Sequence, residues 1–203
     1  MLAKWITCDV PTRARDAFDA AQARWTAIAD QPGLIGQVGG WDQRTGRAHV
    51  LALWADADSH RVFLRDRHGA VADTSGYRGI EVAVGDTLTL PGTATTAAEA
   101  IEGLVLRVAD CRLAEGASER FEDAQRHVWA PAMAAAGVLG GVVASLGANR
   151  RLVATFWPDA ETHRRYTRDV PGLRDRAAVD TDVTAMTGHV LELEPAWRVR
   201  PIR

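Results

Sequence analysis

The chain has 203 residues, 47% hydrophobic and 25% charged, with a formal net charge of -2, the profile of a soluble globular protein of one large or two small domains. No apolar run of about 18 residues is present to span a bilayer, and Met1-Leu2-Ala3-Lys4-Trp5 lacks a secretory layout, so a cytoplasmic protein with no membrane partner is expected. A pI near 6.3 argues against a phosphate-neutralising surface and hence against nucleic acid.

Scarce residues narrow the chemistry. Lys4 is the sole lysine and Asn149 the sole asparagine, which removes most lysine chemistry, and Cys8 and Cys111 are too few for a disulfide framework or a thiolate metal site. Nucleotide-binding glycine fingerprints, His-Glu-x-x-His, Gly-x-Ser-x-Gly and Cys-x-x-Cys are all missing.

The chain repeats itself. Trp54 to Asp66 returns as Trp157 to Asp169 with 7 of 13 residues identical at an offset of 103, and Cys8, Phe18 and Gln22 return as Cys111, Phe121 and Gln125 at that offset. Gly33-Leu-Ile-Gly-Gln-Val38 returns as Gly137-Val-Leu-Gly-Gly-Val142, slipped by one residue. The spacing predicts a first repeat over 1–90, a linker over 91–102 within a small, polar Pro/Gly stretch, and a second repeat over 103–203.

In chain order, Leu2 to Val10 reads as a strand stopped by Pro11. Thr12 to Asp30 spaces Ala14, Phe18, Ala21, Trp25 and Ile28 as an amphipathic helix with Thr12 as its cap. Leu34 to Trp41 and His49 to Trp54 form a hairpin, Asp56 or Asp58 caps a helix through His68, and Ile80 to Leu90 is a fourth strand. This is the βαββαβ, ferredoxin-like plan, and repeat two copies it. The predicted class is therefore α+β: two tandem ferredoxin-like repeats. A four-stranded sheet with helices on one face leaves the other bare, and the second repeat is the partner expected to cover it.

Met1 to Cys8, Ala21-Gln22 with Trp25, Gly33-Leu-Ile-Gly-Gln-Val-Gly-Gly-Trp-Asp42, Ala52-Leu-Trp54, His68 and Tyr77 ahead of Ile80-Glu-Val82 together resemble the bacterial YdbC-like family. That uncharacterised family lies in the dimeric α+β barrel superfamily, with the antibiotic-biosynthesis and haem-degrading monooxygenases. The resemblance implies an intrachain α+β barrel. It also implies a hydrophobic cavity in which an activated aromatic substrate reduces oxygen without a bound cofactor. Repeat two departs at Gly141 for Gln37, Ser145 for Trp41 and Pro171 for His68, so the pocket is expected in repeat one. The Asn-Trp-His pattern of haem relatives is not met, since Asn149 lies in the second hairpin.

Period-two geometry puts Ile35, Gln37, Gly39 and Trp41 on one strand face, Gln37 offering donor and acceptor beside an indole wall. The glycines there mark a bulge or a close approach by backbone or ligand. His68, present only in repeat one, is the candidate base beside Gln37, while the paired His60 and His163 read as packing elements. Trp5, Gln22, Trp25, Trp41, Trp54 and Tyr77 are the candidate substrate-binding residues, with Trp5 and Trp41 lining the barrel. Lys4 and Arg107 match in charge and are expected to pair with carboxylates such as Glu81. No cofactor or metal is expected; the partners are a small-molecule ligand and, as an open alternative, a second copy in a homodimer. A non-catalytic binding or assembly protein and a haem binder through His68 or His60 are the alternative functions.

Overall fold

The computed structural model describes residues 1–72, 78–177 and 181–202, of which the side chain of residue 78 is left aside. In chain order its elements begin with β1 (Leu2–Asp9), α1 (Arg15–Ala23), β2 (Leu34–Trp41), β3 (Ala48–Trp54), α2 (Ala57–Asp66), α3 (His68–Val71) and β4 (Arg78–Leu90). The second series is α4 (Ala97–Ala100), β5 (Val105–Leu113), α5 (Ser118–Ala124), α6 (Ala130–Ala135), β6 (Gly140–Ser145), β7 (Arg150–Trp157), α7 (Ala160–Thr167), α8 (Val170–Ala177) and β8 (Val183–Glu192). The βαββαβ plan is thus present twice, as expected for an α+β protein of tandem ferredoxin-like repeats.

The chain forms two compact units that cut across the repeats: Met1–Asp86 with Leu191–Arg203, and Thr87–Val190. Strand β4 serves both, pairing with β1 along its first part and with β6 through Thr87–Leu90. The strand order is β2-β3-β1-β4 in the first unit and β4-β6-β7-β5-β8 in the second.

In unit 1, Leu2, Leu34, Ala52, Trp54, Phe63 and Val199 form one core cluster, and Cys8, Phe18, Trp41, Val50 and Trp197 another. Asp56 caps α2 by accepting from the Ser59 amide at 2.7 Å, and Asp159 caps α7 on Thr162 in the same way. Thr12 is not a cap: residues 12–14 form a 3₁₀ turn ahead of α1, and no side chain caps either. After α1 the chain tightens into a second 3₁₀ turn, Arg24–Ile28, so the expected long helix is three short segments.

Strand β2 carries a bulge between Leu34 and Gly36, where Gly36 adopts φ 156°. It flips the alternation. Leu34 opposes Trp54 and Gln37 opposes Ala52, so Leu34 rather than Ile35 shares the face of Gln37, Gly39 and Trp41.

Residues beyond β8 complete unit 1. Val199 pairs with Gln37 through two backbone hydrogen bonds (3.1 and 2.9 Å), the Glu194 amide donates to Gly39 O and the Ile202 amide to Ala29 O. Trp197 lies 5.3 Å from both Phe18 and Trp41, edge to face, and the Trp197 and Trp41 indoles both donate to Asp19. A side chain on Gly39 would meet the Trp197 ring at 2.8 Å, and one on Gly40 would meet Glu192 O at 2.3 Å. Those glycines therefore admit this returning segment.

Candidate functional site

The expected repeat-one residues fall into three groups rather than one. Trp5 stacks on His49 at 4.9 Å, on the strand face opposite the helices. Trp41 is on the helix side under Trp197 and Phe18, so Trp5 and Trp41 do not line a common wall. Trp54, His60, Phe63, Trp25 and His68 form the third group, with Trp54 5.0 Å from Phe63 and His68 5.6 Å from Phe63 and 5.8 Å from Trp25. Gln22 and Gln37 are buried, and Tyr77 lies outside the described residues.

Lys4 is buried on the helix-facing side of β1, where desolvation lowers its pKa. Glu81 is not its partner: it opposes Thr7, on the other face, and accepts from Arg47 at 3.2 Å. Around Lys4 the Gln37 amide nitrogen, the Trp54 indole nitrogen and His60 Nε2 are buried without a hydrogen-bond partner among the described residues. The second repeat satisfies one of these. Where repeat one has Ala52, it has Thr155, whose hydroxyl accepts from Trp157 Nε1 at 3.0 Å.

His60 and His163 occupy matching places on α2 and α7, 5.4 and 5.3 Å from Trp54 and Trp157. Burial pushes both imidazoles down to about 4. His68 is half-buried, and desolvation lowers it as well. Cys8 and Cys111 are free, buried thiols, raised to about 11 by desolvation, which makes them core residues rather than nucleophiles.

Unit 2 contains an open cavity of about 340 Å³ between its helices and its sheet, in the size range of small-molecule sites. Its floor comes from Arg107, Ala109 and Cys111 of β5 and Val153 of β7. Its wall is a row at four-residue spacing, Phe121, Gln125, Trp129 and Met133. Tyr166, Val170 and Arg174 come from α7 and α8, and exposed Thr184, Ala185 and Met186 of β8 form the rim.

The row has a local cause. On an α-helix of 3.6 residues per turn, positions four apart drift by about 40° each time, so a run of four such residues would leave one face. Here Gln125–Trp129 is a π-helical turn between α5 and α6. Its wider turn opposes that drift. The turn falls where the repeat offset slips by one, between Gln125 and Gly137, and it houses the extra residue. The slip is the signal that sequence reasoning had in hand and did not use.

The lining is rich in donors and poor in acceptors. Arg107 stands on a strand face that otherwise carries Val105, Ala109 and Cys111 of the apolar core, and neither it nor Arg174 has a carboxylate partner among the described residues. Burial lowers the Arg107 guanidinium from its ordinary value, the charge of Arg174 pushes it the same way, and Tyr166 and Cys111 oppose. Desolvation raises the Tyr166 hydroxyl to about 12, so it stays protonated. Gln125 is 6% exposed, Tyr166 is 4% exposed, and neither side chain has a hydrogen-bond partner among the described residues. Among the described residues, no Asp, Glu or His lines the cavity. With thiol and phenol held protonated and no imidazole at hand, these walls do not fit a haem axial ligand.

These features define an α+β protein of two ferredoxin-like repeats with a cavity of small-molecule size. Over residues 2–84 the chain matches the family model described as "Domain of unknown function (DUF4937)". Its first repeat is similar to the uncharacterized protein YdbC of Bacillus subtilis (strain 168), 24% identical over 41% of this chain and 73% of that protein. The YdbC-like character read from repeat one is thus borne out. Among solved structures, one from Lactobacillus acidophilus described as a "putative monooxygenase" aligns with a TM-score of 0.76 at 11% identity, covering 98% of this chain and 95% of that one. An anthrone oxidase-like protein aligns with a TM-score of 0.64 at 11% identity over 95% and 91%. Alignment over nearly the whole chain shows the expected fold. No helix among the described residues is long and apolar enough to cross a membrane.

Proposed function

We propose that the protein binds a small, largely apolar aromatic molecule in the unit 2 cavity and acts on it in the manner of an oxygenase that needs no bound cofactor. The observation that carries this reading is the cavity itself: apolar walls of Phe121, Met133, Val153 and Val170 around donors with no partner among the described residues. Such a site buries the flat face of a ring system and orients it through few polar contacts. The oxygenase part rests on neighbours described as a monooxygenase and as anthrone oxidase-like. In it Gln125 and Tyr166 orient the substrate's oxygen atoms, and the apolar walls keep bulk water from the reacting carbon.

A second reading keeps the site in unit 1, at Gln37, Trp54 and His68 with Lys4. The three unpartnered buried nitrogens of Gln37, Trp54 and His60 favour it, since orphaned buried polar atoms call for an explanation.

Indole fluorescence of the full chain, titrated with quinols, flavonoids, fatty acids and haem, tests both. We expect saturable quenching by the flat aromatic class, weakened at least tenfold in Gln125→Leu and unchanged in Gln37→Leu. Oxygen consumption with that ligand then tests the chemistry. Weakening by Gln37→Leu alone would move the site to unit 1. A Soret band on haem titration would overturn the cofactor-free reading.

A further inference from the structure

We infer that the molecule held in unit 2 is an anion, an aromatic ring system whose carboxylate or phenolate oxygen is received between Arg107 and Arg174. The inference rests on the reading of that cavity as the ligand site and names the class of ligand. Two guanidiniums line one cavity with no carboxylate of their own chain beside either, among the described residues. A cation on an apolar strand face is unfavourable by itself, and two like charges sharing a cavity are more so. Arg107 is half-buried and Arg174 is exposed; several other arginines of this chain do have acidic partners, among them Arg61 with Asp58, Arg67 with Asp30, and Arg120 with Asp182. Among the described residues, no negative charge lines the cavity to match Arg107 and Arg174.

The neutral groups agree. The Gln125 amide, the Trp129 indole and the Tyr166 hydroxyl all reach the same space, and all can donate. Gln125 and Tyr166 are more than nine-tenths buried and both line the cavity. A ligand oxygen with full or partial negative charge satisfies the set, and a guanidinium recognises a carboxylate through two parallel bonds. The exposed rim at Thr184, Ala185 and Met186 leaves room for the apolar end.

The position of the cation is inherited. Lys4 of repeat one stands where Arg107 stands in repeat two, 103 residues on. In repeat two the wider helix beside it opens onto the guanidinium.

The test uses the full chain and three isosteric probes: 2-naphthoate, 2-naphthamide and 2-naphthol. We expect 2-naphthoate to bind at least tenfold more tightly than 2-naphthamide near neutral pH, and this preference to fall at least fivefold in Arg107→Met and in Arg174→Met. Arg107→Met should melt no lower than the wild type, because it removes a half-buried charge with no carboxylate partner among the described residues, so lost binding cannot be assigned to unfolding. Affinity for 2-naphthol that climbs with pH as the phenol ionises identifies phenolate as the anion; affinity that stays flat leaves carboxylate. Equal binding of naphthoate and naphthamide, both abolished by Trp129→Ala, would overturn the inference while sparing the site. If none of the three binds, the site reading fails and the inference falls with it.

Discussion

His60 and His163 show what the paired residues of the two repeats do. Each sits one turn into its helix against a buried indole, and burial holds each at about 4, against about 6.5 in an unfolded chain. Between those values the unfolded state binds more protons, so the contribution to stability is full above about pH 6.5 and is lost as pH falls toward the folded value. We expect the chain to lose about 1–2 kcal/mol per histidine on going from about pH 7.5 to about pH 5, allowing for partial hydration. Urea midpoints at the two pH values measure it. The double variant His60→Gln, His163→Gln should flatten that difference, and an unchanged difference would assign it to other groups. Recurrence in both halves marked these histidines as packing residues from the sequence. It could not show that the Nε2 of each ring is unpartnered among the described residues, because that depends on which distant side chains pack around it.

Among the elements, the two helices that follow the first strand of each repeat diverge most. One ends in a 3₁₀ turn and the other passes through a π turn, although Phe18 and Gln22 of the first match Phe121 and Gln125 of the second. Deleting Val128 returns the second helix to the length of the first. We expect it to become a regular α-helix, to swing Trp129 and Met133 off the cavity face, and to lower aromatic-ligand affinity at least tenfold, while circular dichroism and cooperative melting stay close to wild type. Undiminished affinity would show that the π turn does not shape the site. Element order was legible because hydrophobic period and turn residues are local signals. The bulge at Gly36 was not, since period-two counting assumes an unbroken ladder. The string Gly36-Gln-Val-Gly-Gly-Trp41 points to a pocket in repeat one, and two of its glycines, Gly39 and Gly40, lie against Trp197 and Glu192.

At the scale of the whole molecule, repeats and compact units do not coincide. Residues 191–203, read as the end of repeat two, supply Trp197 and Val199 to the core of unit 1 and cover the outer edge of β2. An uncovered β2 would present an open ladder to other chains. Trp197→Ala should cost about 3–5 kcal/mol, the usual range for a large buried aromatic. Differential scanning calorimetry should show the lower-melting transition in unit 1, read out by quenching of Trp41 neighbours, with unit 2 ligand binding intact. A loss confined to unit 2 would contradict this placement. Nothing in residues 191–203 betrays the crossing, because their partners lie about 160 positions upstream and periodicity carries no record of distant pairing.

The returning segment also imposes an order of events on synthesis. Since the groove beside Phe18 and Trp41 is filled by Trp197, unit 1 cannot close over that groove until all of repeat two has left the ribosome. Its nascent form carries an exposed strand edge and an apolar groove through that interval, a natural client surface for a chaperone.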